Sequence, residues 1–151
     1  MRLISLLFLL FCSEFLKAQN TLEIIRIDSL KGAISEKAVN KKFEVVQGTL
    51  LLEGNKNSSI RFHLQGNKTE MIVVESNLKE NVTLYYFDDG RLMHVVNYSN
   101  GNYNEVESSF YCTNNTAYEK ERSGFKKVNP EIFTAIVSSY FDLFKEQLKA
   151  K

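Results

Sequence analysis

The chain has 151 residues, a formal net charge of +1, two cysteines and no tryptophan. That length suits one domain built on one core, and the near balance of charge excludes the basic footprint of a nucleic-acid or anionic-membrane binder. No apolar run reaches the roughly 20 residues that a membrane-spanning helix needs.

Residues 1–18 read as an address. Arg2 precedes an apolar run over residues 3–12, and Leu16 and Ala18 stand ahead of a cut before Gln19. This is the layout of a secretory signal peptide, leaving residues 19–151 as a single exported domain, periplasmic or extracellular. Lipidation of Cys12 is the competing reading, and the bulky Phe11 before it argues against that. Removing residues 1–18 takes away Arg2, Glu14 and Lys17, so the mature chain carries equal numbers of basic and acidic groups. It also leaves Cys112 alone, so no intrachain disulfide forms and packing must supply the stability.

After the leader, "TLEIIRI" is ambiguous between helix and strand. "DSLKGAISEKAVNKK" puts Leu30, Ala33, Ile34 and Ala38 on one helical face, with Gly32 weakening the helix. From Phe43 the period changes to two. "FEVVQGTLLLE", "SIRFHLQ", "TEMIVVES", "VTLYYFD", "RLMHVVNYS" and "NYNEVESSFYC" read as six strands, with a possible seventh near residues 117–121. Gly66-Asn67, Asp89-Gly90 and Asn100-Gly101 supply two-residue turns, since glycine and asparagine tolerate positive φ. The polar stretch "NNTAYEKERSGFKKVN" otherwise reads as a connector.

The last segment is a helix: Asn129 caps it, Pro130 occupies its first position and Glu131 favours its positive end. Ile132, Phe133, Ile136, Val137, Tyr140, Phe144 and Leu148 make its apolar stripe. The fold class is therefore α+β. A six- to seven-stranded antiparallel meander carries the C-terminal helix across one face, and a shorter N-terminal helix packs on that face or caps an end.

Counting outward from two-residue turns places Val82, Leu84, Tyr86, Met93, Val95, Val106 and Phe110 on a core face. The other face carries Tyr85, Phe87, Leu92, His94, Val96, Tyr98, Tyr103, Glu105 and Glu107. Tyr85, His94 and Glu107 then form one row, in which directly opposed β-carbons lie about 4.5–5.5 Å apart; the rival register, a three-residue turn with Gly90 in a bulge, places Leu84 opposite His94 instead. Tyr85, Phe87, His94, Tyr98, Tyr103 and Glu107 are the candidate ligand- or partner-binding residues, because aromatics supply contact area at low entropic cost. A histidine beside a carboxylate also has the parts for acid–base work. His63 facing Glu70 reads as a surface pair.

No metal-ligand spacing, phosphate loop or nucleophile motif is present, so neither a metal nor a cofactor is expected. Asp88-Asp89-Gly90 lacks the other ligands of a calcium loop. Asn57, Asn67, Asn81, Asn97 and Asn114 head glycosylation sequons, meaningful only in a host that modifies exported proteins. Three functions fit: a non-enzymatic binding module for a protein or small molecule, a small-molecule carrier or enzyme with a pocket between sheet and C-terminal helix, or an assembly subunit.

Overall fold

The computed structural model describes the backbone of residues 2–52, 56–76, 81–113 and 116–149, and the side chains of residues 21–50, 58–76, 81–113 and 116–146. Cys12, Leu16, Ala18, Asn114 and Leu148 lie outside the described side chains. A helix, α1 (Arg2–Val39), precedes eight strands: β1 (Glu44–Leu52), β2 (Lys56–Gln65), β3 (Lys68–Ser76), β4 (Asn81–Asp88), β5 (Arg91–Ser99), β6 (Val106–Cys112), β7 (Ala117–Glu121) and β8 (Gly124–Val128). The helix α2 (Glu131–Lys149) comes last. The strands form one antiparallel sheet in chain order, so the expected meander with a helix at each end is present. No helix of the described residues is long and apolar enough to cross a membrane.

"TLEIIRI" is helical and continuous with the helix over residues 28–39, which makes the N-terminal helix the longer of the two. Ile24, Ile27, Leu30, Ile34 and Ala38 recur every three or four residues and pack on the sheet, whereas Ala33 is exposed. At the other end Asn129 Oδ1 accepts the Glu131 amide at 3.0 Å, an N-cap. Val137 is buried, with Phe133, Tyr140, Phe141, Leu143 and Phe144 packed around it, while Ile132 and Ile136 face solvent. The apolar stripe of α2 is thus turned toward Phe141 and Leu143.

β8 is an addition to the expected strands, drawn from the polar segment read as a connector. All but its last residue are exposed, so it has no apolar alternation to reveal it. Lys126 and Lys127 on this short edge discourage pairing with another chain.

The helices occupy opposite faces, which corrects the expected single covered face. One core joins α1 to Met71, Val73, Val82, Leu84, Tyr86, Met93, Val96 and Tyr111. The other joins α2 to Val46, Ile60, Phe62, Leu64, Ile72, Tyr85, Phe87, Val95, Cys112 and Ala117. A sheet clad on both sides buries both faces of its central strands, so "LYYF" in β4 is buried at every position.

The two-residue turns at Gly66-Asn67 and Asp89-Gly90 are as expected, but the one at Asn100-Gly101 and the registers are not. Asp89 and Gly90 both take positive φ, at 50° and 79°, and Asp88 pairs with Arg91. One step later a bulge intervenes: Phe87 pairs with Leu92, but Tyr86 pairs with His94, leaving Met93 as the extra residue. The β2–β3 hairpin does the same with Glu70, so His63 lies opposite Met71. In β6 the extra residue is Glu107, and the connection there runs over residues 100–105 rather than two residues. Each bulge sits in the return strand of its hairpin, and a shift of one residue exchanges the faces beyond it.

Candidate functional site

The bulge at Met93 and the connection over residues 100–105 disperse the predicted row. His94 turns to the α1 side opposite Tyr111, Tyr85 lies under α2 against Tyr140, and Glu107 projects into solvent. The predicted row of Tyr85, His94 and Glu107 is therefore not formed. Tyr98 and Tyr103 do meet, with ring centroids 5.3 Å apart, and Tyr103 is half exposed. They stand on the α1 side near Arg61, whose Nη1 is 3.0 Å from Glu75 Oε2. Of the six candidates, Phe87 lines a large cavity that the others do not.

That cavity is a cleft of about 610 Å³ at the β4–β5 end of the sheet. Glu23, Arg26 and Ile27 of α1 wall one side, and Pro130, Glu131, Thr134, Val137, Ser138 and Phe141 wall the other. Between them lie Phe87, Asp88, Gly90, Arg91, Leu92 and Met93 of the hairpin, with Cys112 and Thr113. The Asp89-Gly90 hairpin is therefore both a turn and, Asp89 aside, the middle of the cleft.

The floor is apolar and the margin charged. Ile27, Phe87, Met93, Cys112 and Val137 are buried, whereas Arg26, Arg91 and Glu131 are exposed. Arg26 of α1 is ion-paired with Asp88 of β4 across the cleft wall. Asp89 points the other way and pairs with Lys68 at 2.5 Å. Volume, apolar lining and a few placed polar groups are the marks of a small-molecule site, for which about 300–1,000 Å³ is typical.

The cleft's thiol is protonated at neutral pH. Burial pushes the Cys112 thiol up to about 12, so it is not a thiolate nucleophile. Among the described residues no histidine lines the cleft. His94 is sealed under α1, its Nε2 3.0 Å from Ser109 Oγ, and burial, reinforced by Lys31, pushes its pKa down to about 3. This buried pair resembles a nucleophile and base on paper, yet neither side chain is accessible to a substrate. His63 is likewise lowered, by burial and then by Arg61, and its ring meets Phe43 edge-on at 5.9 Å. Among the described residues no group of three or more His, Cys, Asp or Glu could hold a metal ion.

The sequence signal for the cleft was the hairpin itself. What sequence reasoning missed is that two helices distant in the chain converge on it, and Arg26 and Phe141 carry no motif that says so. Among the sequons, Asn97 has its amide committed, accepting from Thr83 at 2.9 Å and donating to Ser108 at 2.6 Å.

No family model, no curated protein and no solved structure matches the chain.

Proposed function

We propose that the protein is an exported, non-enzymatic binding module whose site is the cleft at the β4–β5 end of the sheet. Its ligand is a small molecule with an apolar body and a polar group. The observation that carries the reading is the lining: a buried floor of Ile27, Phe87, Met93 and Val137 under a margin holding Arg26, Asp88, Arg91 and Glu131. Apolar walls supply affinity, and a few polar groups fix orientation. A described lining without histidine or thiolate favours binding over catalysis.

The test is fluorescence titration with N-phenyl-1-naphthylamine, a neutral apolar probe, at neutral pH. Saturable binding at one site is expected. Ser138 and Thr134 are exposed residues on the α2 wall, so Ser138→Trp or Thr134→Trp fills the cleft without disturbing the core. Each should weaken binding about tenfold or more, the loss expected when an apolar contact surface is occluded. Unsaturable binding, or affinity indifferent to both substitutions, refutes the assignment.

A second reading rests on Tyr98 and Tyr103. Their paired rings beside Arg61 and Glu75 have the composition of a protein-contact hot spot. Tyr103→Ala should then abolish partner capture while leaving probe binding in the cleft unchanged.

A further inference from the structure

We propose that α1 is an acid-released latch on the cleft: charging His94, sealed beneath the helix, frees α1 from the sheet and removes the wall formed by Glu23, Arg26 and Ile27. This rests on the cleft being the binding site.

The geometry begins with the bulge at Met93, which turns His94 to the α1 side of the sheet. There the side chain is 0% exposed. Its Nε2 lies 3.0 Å from Ser109 Oγ, and its Nδ1 meets no hydrogen-bond partner among the described residues. The rings of Tyr111 and Tyr86 stand 4.5 Å and 5.9 Å away.

Both tyrosines also hold α1. The Tyr111 hydroxyl donates to Asp28 Oδ1 at 2.9 Å, and the Tyr86 hydroxyl is 3.0 Å from Ser35 Oγ. Arg26–Asp88 and a 2.9 Å hydrogen bond from Lys37 to Gln65 extend the clasp along the helix. The histidine thus sits among the groups that fasten helix to sheet. The covalent link from α1 to β1 runs through residues 40–43, beyond the end of the helix opposite its cleft-lining residues.

An imidazolium has two N–H donors, and among the described residues only Ser109 is placed to accept one. The charged groups facing His94 are Asp28 and Lys31 of α1 and Lys120 of β7; Tyr86 of β4 and Tyr111 of β6 complete the titratable set. Two cations face one carboxylate, and that carboxylate is engaged by Tyr111 and by Lys31 at 3.1 Å. Burial, then Lys31, holds the imidazole down at about 3, with Asp28 opposing only in part. Exposure to water is the available relief. One side of His94 is closed by the sheet with α2 behind it, so exposure requires α1 to lift.

The sign is set by linkage. With α1 displaced, the imidazole returns to its ordinary value of about 6.5, so the opened form binds the extra proton. The docked form is therefore fully favoured above about pH 6.5, and the opening equilibrium rises about tenfold per pH unit below it. Burial keeps both tyrosines neutral across this window. Burial raises the Asp28 carboxyl, but Tyr111 and Lys31 outweigh it and leave the group below its ordinary value, so Asp28 titrates only at the acid end.

Hydrogen exchange read by mass spectrometry, corrected for intrinsic rates, tests this on the purified protein without any ligand. Protection of residues 24–38 should fall about tenfold per unit between about pH 6 and about pH 4.5, while β4 and β5 stay protected. His94→Gln should remove that slope, and His63→Gln should retain most of it. Should His94→Gln fail to fold, Tyr111→Phe serves instead: it should raise α1 exchange several-fold at neutral pH and leave the slope intact. Loss of protection in α1 and the sheet together, a slope that survives His94→Gln, or unaltered exchange in Tyr111→Phe overturns the latch. Release of N-phenyl-1-naphthylamine over the same window is the functional arm. A latch that opens in a protein that never binds the probe would refute the cleft and not the latch.

Discussion

At the scale of single residues, environment outweighs identity. His94 and Cys112 are the side chains that their chemistry alone would nominate for catalysis, and both are held neutral by burial. For Cys112 the consequence is measurable because the thiol lines the cleft and is 9% exposed. With its pKa pushed up to about 12, the thiolate fraction at pH 8 is far below that of an ordinary thiol near 8.5. Alkylation by iodoacetamide, followed on the peptide containing Cys112, should therefore run about a thousandfold slower in the native protein than in denaturant. Native labelling as fast as the unfolded rate would show an exposed, activated thiol.

At the scale of elements, α2 keeps most of its predicted face: Phe133, Val137, Tyr140 and Phe144 pack on the sheet, whereas Ile132 and Ile136 do not. Its cap and length come from Asn129, Pro130 and an apolar content with 3.6-residue recurrence. Its buried side, however, is centred on Val137, Phe141 and Phe144, with Ile132 62% exposed. Phe144 packs on Phe62 with centroids 4.6 Å apart. Phe144 is partly buried, so Phe144→Ala should cost about 2 kcal/mol, below the full scale of a buried aromatic, and Ile132→Ala well under 1 kcal/mol. Urea midpoints for the two variants decide between this face and one that buries Ile132.

At the scale of the molecule, one sheet separates two cores. The α1 cluster and the α2 cluster share no side chain. Substitutions in separate clusters without shared partners add to within about 0.5 kcal/mol. Ile34→Ala and Val137→Ala, each buried in its own layer, should therefore combine additively in urea unfolding. A coupling well above that figure would mean the layers act as one packing unit. The same separation is what allows α1 to lift at low pH while α2 and the sheet persist.

The sequence by itself determined the elements. Alternation, turn dipeptides and a helix cap are local, so seven of the strands, the turns at Gly66 and Asp89, and α2 were legible from residues within a few positions of one another. β8 was not, because an edge strand with both faces in water has no pattern to show. Register was not either. A bulge adds one residue beside a turn whose own sequence is unchanged, and Met93, Glu70 and Glu107 carry no signal of it. The slip at Met93 sends His94 beneath α1 while Tyr85 stays in the α2 core, and the longer connection over residues 100–105 with its own bulge sets His94 opposite Tyr111 rather than Glu107. The covering of the second face and the cleft were likewise decided by tertiary structure. Periodicity states which side of a helix is apolar but not which surface receives it, and Arg26, Asp88 and Phe141 come together only when both helices have docked.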